Sequence, residues 1–313
     1  MMNHKCLYCY QPLEEGDFHP ACARRFFGST KAPALNYSLD DMVVLAREVL
    51  SSAVAVPGVQ PKLSLGLIRE GAKKEGHRLT IMGVLKGNYI LKPPSLSYPE
   101  MPENEDLTMH LATLCGLQVA AHSLIRLQSG ELAYITKRMD RAVGGGKFHQ
   151  IDMMQITESY DKYRSSVEKV GKAVRTYSSN TQLDLLRLFE GVVFSFLIGN
   201  NDMHLKNYSL LLKEGRWELT PFYDLLNVHL VLPTDTEESA LTINAKKQRL
   251  KREDFVALGI NFGLKPKQIT ATFERFLKRE EAVVKLIEQS FLSQPKQIQY
   301  INLWRRRLLL FKV

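Results

Sequence analysis

The sequence predicts an α+β fold in two lobes, a small sheet-containing lobe followed by a mainly helical one. Three observations carry this. Between about residues 55 and 140, short runs alternate in hydrophobicity and are punctuated by Gly and Pro; beyond about 150, apolar residues recur at helical spacing; and the cluster Gly144 to Gly146 marks the change. The order strand, strand, strand, helix, strand in the first part is the pattern of a compact α+β lobe.

The elements follow in chain order. "GSTKAPALNYSLDD" reads as a linker ending in a cap, with Ser38 and Asp40 ahead of the apolar positions of "MVVLAREVL", so a helix is expected over about 40–51. "AVPGVQPKLSLGL" opens with turn chemistry and ends in alternation, Leu63, Leu65 and Leu67 against Lys62, Ser64 and Gly66, which is a loop entering a strand. "HRLTIMG" and "GNYILKPP" supply further strands of a small antiparallel sheet. "PENEDLTMHLATLCGL" has helical spacing through Leu107, Leu111 and Leu114 and puts Cys115 on an apolar face; "ELAYITKRMDR" returns as a strand. In the helical part, "TQLDLLRLFEGVVFSFLIG" is capped by Asn180 or Thr181 and stopped by Gly199. Its second half is apolar nearly all round, the mark of a helix at the centre of a bundle. "QITATFERFLKREEAVVKLIEQSFL" and "QIQYINLWRRRLLLF" continue the helical pattern. The expected organisation is a Cys/His module over 1–30, a sheet-containing lobe over 31–146 and a helical lobe over 147–313, with a cleft between the lobes.

Composition bounds the function. With 45% hydrophobic and 24% charged residues over 313 positions, the chain is neither a disordered tail nor a fibre. Apolar runs such as "GVVFSFLIG" reach about half of the ~20 residues a membrane span requires, and the N-terminus has no signal-like stretch. A cytoplasmic protein without membrane contact is therefore expected. The net charge of +9 favours phosphate-rich partners: nucleotides, nucleic acid, or a protein bound to nucleic acid.

Three of the four cysteines fall in "CLYCYQPLEEGDFHPAC". The pattern C-x2-C-x9-H-x2-C offers Cys6, Cys9, His19 and Cys22 as four ligands, with His19 and Cys22 able to face one way on the first turn of a short helix. That suits a closed tetrahedral Zn2+ site. Equally, these are reduced cysteines and a histidine packed around Phe18, Phe26 and Phe27.

The chemistry-bearing stretch is "FLIGNNDMHLKNYSLLL". A buried helix is a rigid mount, and the loop leaving it carries Asp202, His204 and Asn207. Asp202 precedes Asn207 by five positions, the spacing of a protein-kinase catalytic loop, where the carboxylate accepts the substrate hydroxyl's proton and the amide oxygen holds a magnesium ion. A second carboxylate is then needed on a nearby turn. "NYSLLLKEGRWELTPFYDLL" reads as a hairpin turning at Lys213 to Gly215, and its far end delivers Asp224 after Phe222 and Tyr223. Upstream, Lys92 ends the strand of "NYILKPP" and Glu105 lies near the start of the next helix, in the order required of a phosphate-binding lysine and the glutamate that orients it. Taken singly, Asp202 and Asn207 also suit a tight turn, and a lone His204 also suits a structural role.

Together "GVQPKLSL", "YILKPP", "PENEDLTMHLA", "KRMDR", "IGNNDMHLKNYSLL" and "LTPFYDLLN" resemble the HipA family of bacterial serine/threonine protein kinases, the toxins of HipBA-type toxin-antitoxin modules. The resemblance runs from about residue 55 onward. With about fifty residues ahead of the first of these motifs, the chain is similar to HipT, the short kinase of HipBST modules, in which a small protein, HipS, replaces an N-terminal piece of HipA. The resemblance implies a two-lobed protein-kinase-like fold using ATP and Mg2+. It implies Asp202 as the catalytic base with His204 a phosphate-side partner, Asn207 and Asp224 as magnesium ligands, and Lys92 on the nucleotide phosphates with Glu105 paired to it. Lys137 to Met139 fall at the hinge that contacts adenine, Tyr223 joins the nucleotide-side residues, and Gly58, Val59 and Gln60 form the phosphate-covering loop. The implied partners are an aminoacyl-tRNA synthetase as substrate, a HipB-like DNA-binding antitoxin that brings indirect DNA association, and a HipS-like protein. Ala55 and Pro57 stand where family loops carry autophosphorylated serines, so little autophosphorylation is expected there. Two other readings share the motif: a small-molecule or lipid kinase, and a regulatory pseudokinase whose zinc module contacts nucleic acid.

Overall fold

The computed structural model describes residues 4–52, 62–70, 76–82, 86–142 and 144–312. The segment holding Ala55, Pro57, Gly58, Val59 and Gln60 lies outside the described residues. The chain divides into two units: residues 1–106, 120–138 and 289–291 form one, and 107–119, 139–288 and 292–313 the other.

The first unit opens with a knuckle closed by Cys6 N–H to the Gln11 carbonyl (2.9 Å) and Tyr10 N–H to the Cys6 carbonyl (2.9 Å), followed by helix α1, Pro20–Phe27. Helix α2 spans Leu39–Ser52; the Ser38 hydroxyl accepts from Asp41 N–H while the Asp41 carboxylate accepts from Ser38 N–H, so Ser38 is the cap that the sequence suggests. Strands β1 (Leu63–Glu70), β2 (Gly76–Ile81) and β3 (Tyr89–Lys92), then helix α3 (Met101–Leu114), match the expected elements. Strands β4 (His122–Arg126) and β5 (Leu132–Lys137) complete an antiparallel sheet ordered β2-β1-β3-β5-β4. β4 is an addition to the expected order. Its "HSLIR" is buried at four consecutive positions, so the period-2 signal of a half-exposed strand is missing. In register, Lys92 stands opposite Tyr134. The core of this unit joins Phe26 and Phe27 of α1 to Leu63, Leu65, Tyr89 and Ile135 of the sheet. The Cys/His segment is thus packed into the sheet's hydrophobic face.

In the second unit, β6 (His149–Asp152) runs into the short helix α4 (Met153–Ile156), with α5 (Val167–Tyr177) and α6 (Thr181–Ile198) after it. β7 (Ser209–Lys213) and β8 (Arg216–Leu219) form the expected hairpin, with Glu214 and Gly215 at its tip both at positive φ. β6 adds a third antiparallel strand to it, at register His149 to Leu212. Helices α7 (Arg252–Asn261), α8 (Pro266–Leu277), α9 (Glu280–Gln289) and α10 (Gln294–Leu308) follow. α8 and α9 divide what reads as one helical stretch in the sequence, because the break at "LKREE" has no Gly or Pro to announce it.

α6 is the mount. Phe194 and Phe196 are buried among Phe255, Phe276, Trp304 and Phe311, as a helix apolar on every side requires. Gly191 sits in mid-helix, where glycine costs ~1 kcal/mol against alanine. A Cβ there would lie 2.0 Å from the Phe222 ring, so the missing side chain is what admits Phe222, two residues ahead of Asp224, against the helix. Asp184, 1% exposed, ties α6 to β8 by accepting from Leu219 N–H (2.7 Å), and also holds the Ser178 hydroxyl (2.7 Å) and Arg187 (2.9 Å). Among the described residues no helix is long and apolar enough to cross a membrane.

Candidate active site

α6 ends at Gly199 in the left-handed conformation (φ 76°), its N–H returned to Phe196 and that of Asn200 to Ser195. The chain therefore turns sharply into the loop 200–207. Backbone hydrogen bonds hold that loop: His204 N–H to the Asp202 carbonyl (2.8 Å), Asn207 N–H to the His204 carbonyl (2.9 Å), and Leu205 N–H to the Lys162 carbonyl (3.1 Å). The Asn207 side-chain amide donates to the Asp202 carbonyl at 2.9 Å. With its N–H2 group engaged by the backbone, the amide oxygen is the atom left to face a cation. Asn207 is 5% exposed, and Leu205–Asn207 forms a 3-10 turn that leads directly into β7.

Asp224 follows the hairpin and adopts φ 61°, a left-handed conformation unusual for a residue with a side chain. The neighbouring Tyr223 hydroxyl donates to the Lys206 carbonyl (2.8 Å) and bonds Ser209 Oγ (2.7 Å). Tyr223 thus pins the strand end before Asp224 to the turn holding Asn207. Burial pushes the His204 imidazole below its usual value and Lys162 adds to this, while the carboxylates of both Asp202 and Asp224 pull the other way. One imidazole therefore feels the charge of both acids. His204 Nδ1 is buried with no hydrogen-bond partner among the described residues.

Sequence reasoning missed Tyr163. Its hydroxyl donates to Asp202 Oδ1 at 2.8 Å and its ring meets the His204 ring edge-on, with centroids 5.2 Å apart. Burial and the Asp202 carboxylate both hold the phenol above its ordinary value. The exposed polar segment "ESYDKYRSS" gives no periodic signal, and its one clue is a pair of tyrosines set among charges.

In the first unit, Lys92 Nζ bonds both carboxylate oxygens of Glu105, at 2.6 and 2.8 Å, with the residues 4% and 3% exposed. The ammonium also lies over the Tyr134 ring at 5.4 Å. Next to Glu105, the buried Asp106 accepts from Tyr10 Oη (2.7 Å) and pairs with His122 Nδ1 (2.6 Å), a network the sequence does not announce. Lys137 ends β5 with its ammonium over the Phe26 ring at 5.4 Å, and burial lowers its basicity. Met139 begins the stretch of the second unit that follows β5 and is half-buried.

Cys6, Cys9, His19 and Cys22 come together: their ligand atoms all lie within 4.8 Å of one another. None is in a disulfide. Burial alone would raise the Cys6 thiol, but backbone N–H groups of His19, Tyr8 and Cys9 point at its sulfur and bring it below its ordinary value. Burial pushes the Cys22 thiol up to about 12.

Comparison with known proteins gives the family. The chain is 27% identical over 311 residues to a Haemophilus influenzae protein named as a candidate kinase, with 90% of this chain and 88% of that one aligned. It is 28% identical over 199 residues to the serine/threonine-protein kinase toxin HipA of Shewanella oneidensis, covering 56% of this chain and 44% of the toxin. The structure of Shewanella oneidensis HipA in complex with HipB and operator DNA superposes with a TM-score of 0.67 at 19% identity, over 88% of this chain and 70% of that one. The profile of the HipA-like C-terminal domain matches residues 54–284. A match across most of the chain, joined to the shared fold, means that this protein belongs to the HipA-like kinase family.

Proposed function

We propose that the protein is an ATP-dependent serine/threonine protein kinase acting as the toxin of a HipBA- or HipBST-type module. The observation that carries this reading is the Asn207 amide bonded to the Asp202 backbone, with Tyr223, the neighbour of Asp224, bonded to the carbonyl of Lys206 beside Asn207. Such a loop presents one acid for proton transfer and an amide and a second acid for a metal.

The donor set fits magnesium. Asn207 and Asp224 offer hard oxygen ligands of the kind Mg2+ prefers, and waters and phosphate oxygens would complete the set. When bound, the metal neutralises charge on the phosphate oxygens during transfer. Asp202 accepts the proton of the attacking serine or threonine hydroxyl, and Tyr163, donating to its Oδ1, orients the carboxylate. Lys92, held by Glu105, supplies positive charge to the nucleotide phosphates. The unpartnered Nδ1 of His204 is suited to a phosphate-side hydrogen bond. Lys137 and Met139 serve the adenine side, and the segment containing Gly58, Val59 and Gln60 covers the phosphates. Tyr223 acts on the nucleotide site through the turn it pins rather than through its engaged hydroxyl.

The resemblance to HipA supports a substrate class. An aminoacyl-tRNA synthetase is the proposed acceptor, with arrest of translation as the consequence, and a HipB-like DNA-binding protein is the proposed antitoxin, with a HipS-like protein as a further partner. The test is incubation of the purified chain with labelled ATP, magnesium and a panel of aminoacyl-tRNA synthetases, followed by mapping of the phosphosite. Transfer to a serine of one synthetase, lost in Asp202→Asn, is expected. ATP turnover that needs only a small alcohol would replace this reading with a metabolite kinase. A cellular phenotype unchanged by Asp202→Asn would replace it with a binding role.

A further inference from the structure

We propose that Cys6, Cys9, His19 and Cys22 form a closed structural zinc site that sets the knuckle carrying Tyr10, and through it the helix turn carrying Glu105. The metal assignment does not rest on the kinase reading.

The argument begins with distances. Zinc–sulfur bonds of about 2.3 Å and zinc–nitrogen bonds of about 2.0–2.1 Å put neighbouring sulfur and nitrogen ligands of a tetrahedron about 3.6 Å apart. Here His19 Nδ1 lies 3.5 Å from Cys9 Sγ and 3.9 Å from Cys22 Sγ. The imidazole is prepared for this use. Its other nitrogen, Nε2, lies 3.0 Å from the Pro12 carbonyl, which can only accept; Nε2 therefore carries the proton and Nδ1 offers its lone pair towards the thiols. The backbone is prepared as well. His19 N–H points at Cys6 Sγ from 3.5 Å, and the knuckle is closed by the Cys6 to Gln11 and Tyr10 to Cys6 bonds, with Tyr10 at φ 63°. A cluster of packed thiols needs none of these devices. With four protein ligands there is no open position, so the site is structural rather than catalytic. Binding converts the three thiols to thiolates, and their protons pass to solvent.

The consequence lies in Tyr10. It is 2% exposed and donates to Asp106 (2.7 Å), which precedes Leu107 on α3 and adjoins Glu105, the partner of Lys92. Loss of the metal frees the knuckle, withdraws that hydrogen bond and loosens the turn that aims Glu105.

The full chain, purified from zinc-supplemented medium without chelator, is expected to hold one zinc per chain by plasma mass spectrometry. Cobalt exchange should give the visible d–d and thiolate charge-transfer bands of a tetrahedral site. Chelation should lower the melting temperature, and zinc, but not magnesium, should restore it. The double variant Cys9→Ser, Cys22→Ser should lose the metal, whereas Tyr10→Phe should keep one equivalent and yet melt at a lower temperature. Should the double variant fail to fold, the cobalt spectrum of the unaltered chain decides. Metal absent from the unaltered chain, metal retained equally by the double variant, an octahedral cobalt spectrum, or a mass two hydrogens lower from a disulfide would each overturn the proposal. None of these outcomes depends on phosphotransfer, so the metal site and the kinase reading fail separately.

Discussion

The two groups of candidate residues, one in each unit, are held in opposite ways. In the first unit Lys92 and Glu105 hold each other, side chain to side chain, both nearly sealed from water. In the second, loop 200–207 is held by its backbone and by the Asn207 amide, which donates to the Asp202 carbonyl, while the Asp202 carboxylate accepts from the Tyr163 hydroxyl. The first arrangement is high in mutual dependence, since a buried charge stripped of its partner cannot be rehydrated. The second separates fold from chemistry, because the bonds that shape the loop are not made by the carboxylates that would react. Mutations should therefore cost stability in the first group and rate in the second.

That contrast orders the expected effects. Asp202→Asn should lower phosphoryl transfer by about 10²–10⁴-fold, the usual worth of a general base, while the melting temperature stays close to that of the unaltered chain; a large fall in stability would show that the carboxylate is structural. Glu105→Ala should destabilise by about 3–5 kcal/mol, because it removes the carboxylate that bonds the buried Lys92 ammonium. Chemical denaturation checks this, and an effect below that of an ordinary surface substitution would remove the distinction between the groups. Gly191→Ala should destabilise by about 1–3 kcal/mol by overpacking against Phe222, with a secondary loss of activity as the chain near Asp224 shifts.

Smaller effects sharpen the picture. Tyr163→Phe removes one hydrogen bond to Asp202, worth about 1 kcal/mol, so kcat should fall several-fold with KM for ATP unchanged. A changed KM would move Tyr163 to the nucleotide side. Last is a pH effect away from both groups. Burial, and then Arg307, which donates to His229 Nε2 at 2.8 Å, hold the His229 imidazole below its ordinary value. The folded state thus resists protonation: this contribution is whole above about pH 6.5 and is lost as pH falls from there towards the folded value. Melting curves of His229→Gln should show a shallower acid-side decline than the unaltered chain.

Much of the layout was legible in the residues. Leu63, Leu65 and Leu67 announce β1, Gly199 stops α6, and the Lys213 to Gly215 stretch marks the hairpin, because each signal is local and periodic or conformational. β6 was not legible: "HQID" has no hydrophobic alternation and becomes a strand only because β7 offers an edge to pair with. Nor was the α8–α9 break, which packing rather than a breaker residue imposes.

What the sequence alone determined is the kinds of chemistry present and their local spacing: an aspartate five residues before an asparagine, a lysine closing a strand, and four metal-type ligands near the start. These are properties of neighbours along the chain, and periodicity and turn chemistry reveal them. Only the tertiary structure decided which groups meet across long separations. It brought Tyr163 to Asp202, Tyr10 to Asp106, and the Tyr223 hydroxyl to the Lys206 carbonyl. Such meetings depend on burial and on side chains that are absent, like that of Gly191, and no local pattern encodes them.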